Sequence, residues 1–281
     1  MDIRYFLRPR SGGALRTAIL LATFLLGSSP LAAQPSRTPP RPGLKFLDQS
    51  AFDSFTVQRW VPPDAMEESP SGLCECVSVV YFQGKKVVEL NIEAALQRSE
   101  IGDLSGKDIN GDGVPDLIVT ESTGGAHCCE TTRIYSMSPD THTILSLDTG
   151  NCSVRFEDLD HDGKLEVVTC DDHFAYRYCS FAESPMPEVV FVFDRGQGKY
   201  IPATPRFPAY FQAAIEAATK ESQSAPESKC AALAPVLQLM YLDRGTEATA
   251  LFRRLYKGPD VGVLLSALSA EVKQSPMWVP R

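Results

Sequence analysis

The chain has 281 residues, 43% of them apolar and 22% charged, with 21 Pro, 8 Cys and a formal net charge of −8. This is globular composition, long enough for one large domain or two small ones, and it excludes a disordered or collagen-like chain. The acidic balance also argues against nucleic-acid binding, which rests on Lys and Arg neutralising phosphates.

In chain order, Arg4, Arg8, Arg10 and Arg16 lead an 11-residue apolar run from Thr17 to Gly27, and the small residues of 28–33 follow it. A basic stretch, a short apolar stretch and a small-residue site describe a secretory signal peptide, with cleavage expected after Ala33. The run is too short to span a membrane, which takes about 20 apolar residues. Removal of 1–33 takes away four Arg and one Asp, leaving a mature chain near −11 with no stable membrane span. The expected location is periplasmic or secreted. All eight cysteines remain: Cys74, Cys76, Cys128, Cys129, Cys152, Cys170, Cys179 and Cys230. An even count in an exported chain reads as disulfides, so all eight are disulfide candidates.

Residues 34–69 read as a leader that is Pro-rich over 34–44, and 70–205 as a β domain. Short runs rich in Val, Ile, Thr, Phe and Tyr predict strands at 74–82, 86–90, 117–121, 131–137, 143–147, 152–156, 165–170, 174–179, 189–194 and 199–202. Gln83-Gly84-Lys85 sits between the first two as a hairpin turn. After Pro208 the apolar period lengthens. Helices are predicted through Tyr210–Ala218, Leu233–Tyr241, Thr246–Lys257 and Val261–Lys273, with Gly245 as an end signal for the second. Residues 206–281 are therefore expected to form a helical C-terminal unit, and the fold class to be mainly β with that unit appended (α+β).

Two segments carry chemistry. Residues 108–116 read Asp-Ile-Asn-Gly-Asp-Gly-Val-Pro-Asp and residues 158–166 read Asp-Leu-Asp-His-Asp-Gly-Lys-Leu-Glu. Both fit D-x-[DN]-x-D-G-x-x-[DE], start 50 residues apart and run straight into a predicted strand, which makes an internal repeat. Ca2+ takes six to eight oxygens, and alternating acidic residues supply them when the backbone curls round one centre. The expected ligands are side-chain oxygens of Asp108, Asn110, Asp112 and Asp116 with the Val114 carbonyl. In the second copy they are Asp158, Asp160, Asp162 and Glu166 with the Lys164 carbonyl. An EF-hand is excluded, because its twelfth-position acid is replaced by Val119 and Thr169 and the flanks are strands.

These loops and their following strands resemble the calcium loops of FG-GAP/VCBS-type repeats, the integrin α-propeller-like family, over about residues 100–200. The resemblance implies propeller-blade-like antiparallel sheets and bound calcium. The β region has room for two blades and part of a third, so a closed propeller is not expected. The segment Thr123-Gly124-Gly125-Ala126-His127-Cys128-Cys129 also looks like that of exported bacterial proteins carrying such repeats.

His127, Cys128 and Cys129 invite a catalytic dyad or zinc site, but adjacent strand residues face opposite ways and no C-x-x-C is present. Disulfide bonding is the expected fate of these cysteines. Cys152 and Cys170 bracket the second loop and form one candidate bridge. Glu121, Asp171 and Asp172 are weighed as extra carboxylates at the loop exits. No G-x-S-x-G, P-loop or H-E-x-x-H occurs. The expectation is an exported calcium-binding β-repeat module for structure or for binding protein or carbohydrate, with no catalytic residue assigned. The alternative is a calcium-dependent envelope hydrolase using Asp171 or Asp172.

Overall fold

The computed structural model describes residues 36–281 except 53–54, 64–76, 92–97, 126–127, 139 and 226–227. The expected signal peptide, Cys74, Cys76 and His127 lie outside the described residues, as do the side chains of Cys128 and Cys129. Twelve strands form three four-stranded antiparallel sheets among the described residues. The first comprises β1 (Lys45–Phe52), β2 (Phe55–Val61), β3 (Val77–Phe82) and β4 (Lys85–Asn91). The second comprises β5 (Arg98–Ile101), β6 (Asp116–Gly125), β7 (Cys128–Ser136) and β8 (His142–Gly150). The third comprises β9 (Arg155–Glu157), β10 (Glu166–Cys170), β11 (Glu188–Asp194) and β12 (Lys199–Pro202).

Within each sheet the strands pair in chain order, the up-and-down order of a propeller blade. Three complete blade-like sheets therefore stand where the sequence predicts two and a fragment. The hairpin between β3 and β4 turns on Gln83 and Gly84, both at positive φ (48° and 80°), as a two-residue turn between twisted strands requires.

Residues 117–119 of β6 are apolar on both faces of the strand because both are covered there. Leu117 and Val119 pack with Phe55, Val57, Val80 and Leu90 of the first sheet. Ile118, on the opposite face, joins a larger core with Val167, Val168, Val189 and Val190 of the third sheet. That larger core continues without a break into the helices α1 (Pro208–Gln223), α2 (Lys229–Tyr241), α3 (Gly245–Leu255) and α4 (Val261–Val272). Nearly every residue from Ala232 to Tyr241 is buried, so α2 is the central helix of the C-terminal part.

Four readings of the sequence are corrected. Residues 34–69, read as a leader, contain β1 and β2, with the Pro-rich composition ending at Leu44. β5 was not predicted. Residues 174–179 are not a strand: 172–174 form a 3-10 turn, Tyr176 sits at φ 60°, and the following residues are turn and bend. Their aromatic richness serves other contacts. Phe174 is a core anchor, while Arg177 and Tyr178 hydrogen-bond to Glu271 of α4. Finally, Gly245 begins α3 rather than ending α2. Asp243, at φ 56°, closes α2 through Arg244 N–H to Leu239 O (2.9 Å) and Asp243 N–H to Met240 O (3.0 Å). That is a Schellman end, and a short polar side chain tolerates its left-handed position.

Two disulfides are described. Cys152–Cys170 joins a residue just before β9 to the last residue of β10, as the bracketing of the second loop predicts, and Cys179–Cys230 ties the 175–184 segment to α2. Beside the first bridge, Gly150 sits at φ 58°, and a Cβ there would fall 1.8 Å from Asp172 Oδ2. Asp172 cannot move aside freely, because the same oxygen accepts from Asn151 N (3.1 Å) and Nδ2 (3.0 Å). Gly150→Ala is therefore expected to destabilise by about 2 kcal/mol or more in urea unfolding, from backbone strain plus the clash. A change below 0.5 kcal/mol (on the order of a neutral surface substitution) would contradict the packing described.

Candidate metal centre

Each acidic loop connects the first and second strands of its sheet, residues 108–116 between β5 and β6 and residues 158–166 between β9 and β10. The ninth residue of each, Asp116 or Glu166, is also the first residue of the second strand. The repeat in sequence is thus a repeat in place.

The two loops also share one hydrogen-bond pattern. The first-position carboxylate accepts from the fifth and sixth backbone N–H groups: Asp108 from Asp112 (3.1 Å) and Gly113 (2.8 Å), Asp158 from Asp162 (3.0 Å) and Gly163 (3.1 Å). The fifth-position carboxylate accepts from the seventh N–H, Asp112 from Val114 (2.8 Å) and Asp162 from Lys164 (2.9 Å). The ninth-position carboxylate accepts from the second N–H, Asp116 from Ile109 (3.1 Å) and Glu166 from Leu159 (2.8 Å). Positions four and six are left-handed in both loops, at φ 71° and 93° for Gly111 and Gly113, and 61° and 83° for His161 and Gly163. The two glycines at position six meet that need without strain.

The copies differ at position three. In the second loop, oxygens of Asp158, Asp160 and Glu166 lie within 4.8 Å of one another, a grouping able to hold a metal ion. In the first loop, Asn110 takes the place of Asp160, is fully buried, and turns its Nδ2 toward Asp116 Oδ1 at 3.4 Å. The donors in both loops are oxygens, which suits a hard dication of adaptable coordination such as Ca2+ rather than a soft metal.

Electrostatics of the ninth position points the same way. Asp116 is fully buried, and burial, reinforced by the charges of Asp112 and Asp108, pushes its carboxyl up to about 7 against the pull of backbone donors. Glu166 is raised for the same reasons, burial first and then Asp160, Asp162 and Asp158. A cation between them would relieve that repulsion. Asp162 departs in the other direction, lowered by its ion pair and hydrogen bonds with Lys164.

The other weighed carboxylates are occupied elsewhere. Glu121 pairs with Arg133 across β6 and β7. Asp171 and Asp172 follow β10, at the opposite end of that strand from the loop. Asp171 is buried and accepts from Tyr241 Oη (2.5 Å), Ser275 Oγ and His173 N (3.0 Å), while Asp172 accepts from Asn151. The hydrolase alternative thus finds its two acids bound into the fold.

Sequence reasoning missed the residues that join the loops. Leu165 N–H donates to Ile109 O at 2.8 Å, and Tyr200 Oη donates to Leu165 O at 3.1 Å. Burial, then the charges of Asp116, Glu166, Asp108 and Asp112, raise the Tyr200 phenol far above its ordinary range, so it stays a donor. Arg195 Nη2 reaches Gly111 O, and the Lys164 stem lies over Gly111, where a Cβ would meet its Cγ at 2.9 Å. Backbone bonds between distant segments leave no mark in residue type. A signal was present only at Gly111, whose lack of a side chain admits Lys164.

The chain is 29% identical over 96 residues to a probable thylakoid lumen protein of Synechocystis sp., covering 33% of this chain and 28% of that protein. It is 30% identical over 79 residues to an uncharacterized protein of Sinorhizobium fredii, covering 27% of this chain and 12% of that one. The chain thus spans about a quarter and about an eighth of the lengths of these curated relatives. No solved structure matches it significantly. The model of the FG-GAP-like repeat matches residues 108–169, from the first residue of the first loop to the strand after the second. This stretch of the chain, two acidic loops on two blade-like sheets, is an FG-GAP-like repeat segment.

Proposed function

We propose that this chain is an exported, calcium-stabilised β-repeat module that serves in structure or in binding a protein or carbohydrate. The observation that carries the reading is the matched pair of loops, with ligand-type oxygens at the same positions and the same internal hydrogen bonds. Asp108, Asn110, Asp112, Asp116 and the Val114 carbonyl would hold one ion. Asp158, Asp160, Asp162, Glu166 and the Lys164 carbonyl would hold the other. The ion supplies positive charge that neutralises clustered carboxylates and fixes the loop between its two strands. Residues 1–33 direct export in this reading, and two disulfides suit an oxidising compartment. The lumenal location in the name of the Synechocystis relative supports a place outside the cytosol.

Calorimetric titration of the mature protein with calcium is the test. Two ions per chain are expected, with Asp112→Ala and Asp162→Ala each abolishing one. Calcium at 100 times Kd should raise stability by about 2.7 kcal/mol per site. Absence of heat up to several millimolar calcium would overturn the proposal.

A further inference from the structure

We infer that the two acidic loops bind their ions cooperatively, coupled through the Leu165 peptide and the Tyr200 hydroxyl. This inference rests on the calcium reading of both loops. The Lys164 carbonyl, the seventh-position ligand of the second loop, and the Leu165 N–H belong to one planar peptide. That N–H donates to Ile109 O at 2.8 Å. Ile109 is the second residue of the first loop, and its carbonyl shares a peptide plane with the nitrogen of Asn110, a third-position ligand. A trans peptide points its C=O and N–H in opposite directions, so the bond to the first loop aims the Lys164 carbonyl away from Ile109. Fixing either loop therefore orients a ligand of the other.

Two further contacts stiffen the connection. Tyr200 Oη holds Leu165 O (3.1 Å), whose peptide leads directly into the ligand Glu166. Lys164 spans the pair, its amine on Asp162 of the second loop and its stem over Gly111 of the first. The first ion to bind orders this shared backbone, and the second then loses less conformational freedom on binding. The linkage must be reciprocal, each loop raising the other's affinity by the same factor.

The experiment is calcium calorimetry on the mature protein with Asp112→Asn and Asp162→Asn, two exposed fifth-position residues whose change leaves the folded core untouched. In each variant the remaining loop should bind about fivefold more weakly than it does in the wild type with the other loop filled, by equal factors in both directions. Leu165→Pro deletes the coupling donor, at the cost of a side chain packed at the edge of the larger core. The first loop already carries Pro115 at the same eighth position, so the loop backbone accepts the ring. Two sites should persist in Leu165→Pro, and in Tyr200→Phe, with the coupling reduced. Two wild-type sites that each keep their affinity when the other is lost would overturn the coupling and leave the calcium reading intact. Coupling at full strength in both Leu165→Pro and Tyr200→Phe would overturn the assigned route. No calcium binding by the wild type would overturn both readings.

Discussion

Removing the Cys179–Cys230 bridge, as Cys179→Ala/Cys230→Ala, is expected to destabilise the protein by about 4 kcal/mol, the chain-entropy value for its sequence separation of 51. For a chain of this size that corresponds to a fall in Tm of about 10 °C by scanning calorimetry. The shorter Cys152–Cys170 link, with a separation of 18, should cost about 3 kcal/mol. The order follows from loop length, because the bridge acts chiefly by restricting the unfolded chain. The native positions have support of their own: Tyr178 and Arg177 remain bonded to Glu271, and Ser228 still caps α2 by accepting from Ala231 N at 3.2 Å. The folded structure should therefore survive both double variants. A loss below 1 kcal/mol (on the order of a single exposed contact) for the longer bridge would show that the unfolded chain already holds these segments together.

The second large effect belongs to Asp171. Its carboxyl is buried at the exit of β10 and accepts from the last residue of α2, Tyr241, and from Ser275 after α4, while its N–H donates to Pro187 O at 2.9 Å. One side chain thus joins the third sheet to two helical segments. Asp171→Ala leaves the two hydroxyls and the His173 N–H without their acceptor at a buried joint, at a cost of about 4 kcal/mol. Tyr241→Phe removes a donor and leaves the carboxyl with its other partners, so it should cost about 1.5 kcal/mol. Denaturant unfolding of both variants gives the comparison. Equal costs, or a neutral Asp171→Ala, would contradict a shared acceptor at this joint.

What the sequence could disclose depended on how narrowly chemistry constrains residue type. The acidic loops were legible because oxygen ligands at alternating positions and a glycine at position six are required together, and the pattern recurs 50 residues later. The antiparallel blade-like sheets followed from the resemblance of the two loops, and the helices from an apolar period that lengthens after Pro208. The Cys152–Cys170 bridge was visible because both cysteines flank one loop, whereas Cys179–Cys230 pairs residues from unlike elements and had no such cue. Residues 174–179 misled because aromatics that serve a core and a helix look the same as those of a strand. Gly245 misled for a related reason: Asp243 already supplies the left-handed residue that ends α2. The first hairpin was hidden by the Pro-rich composition before it. Asp171 reads in the sequence as a loop-exit carboxylate because its partners, Tyr241 and Ser275, lie 70 and 104 residues away.

Whether the two matched loops each enclose a calcium ion, as proposed, is decided by long-wavelength anomalous diffraction from crystals of the mature protein grown with calcium. Two anomalous peaks are expected, one among Asp108, Asn110, Asp112 and Asp116 and one among Asp158, Asp160, Asp162 and Glu166, with ligand oxygens about 2.3–2.6 Å from each. Saturating calcium with no peak in either loop, and the acidic side chains bound only to backbone N–H groups and water, would contradict the proposal.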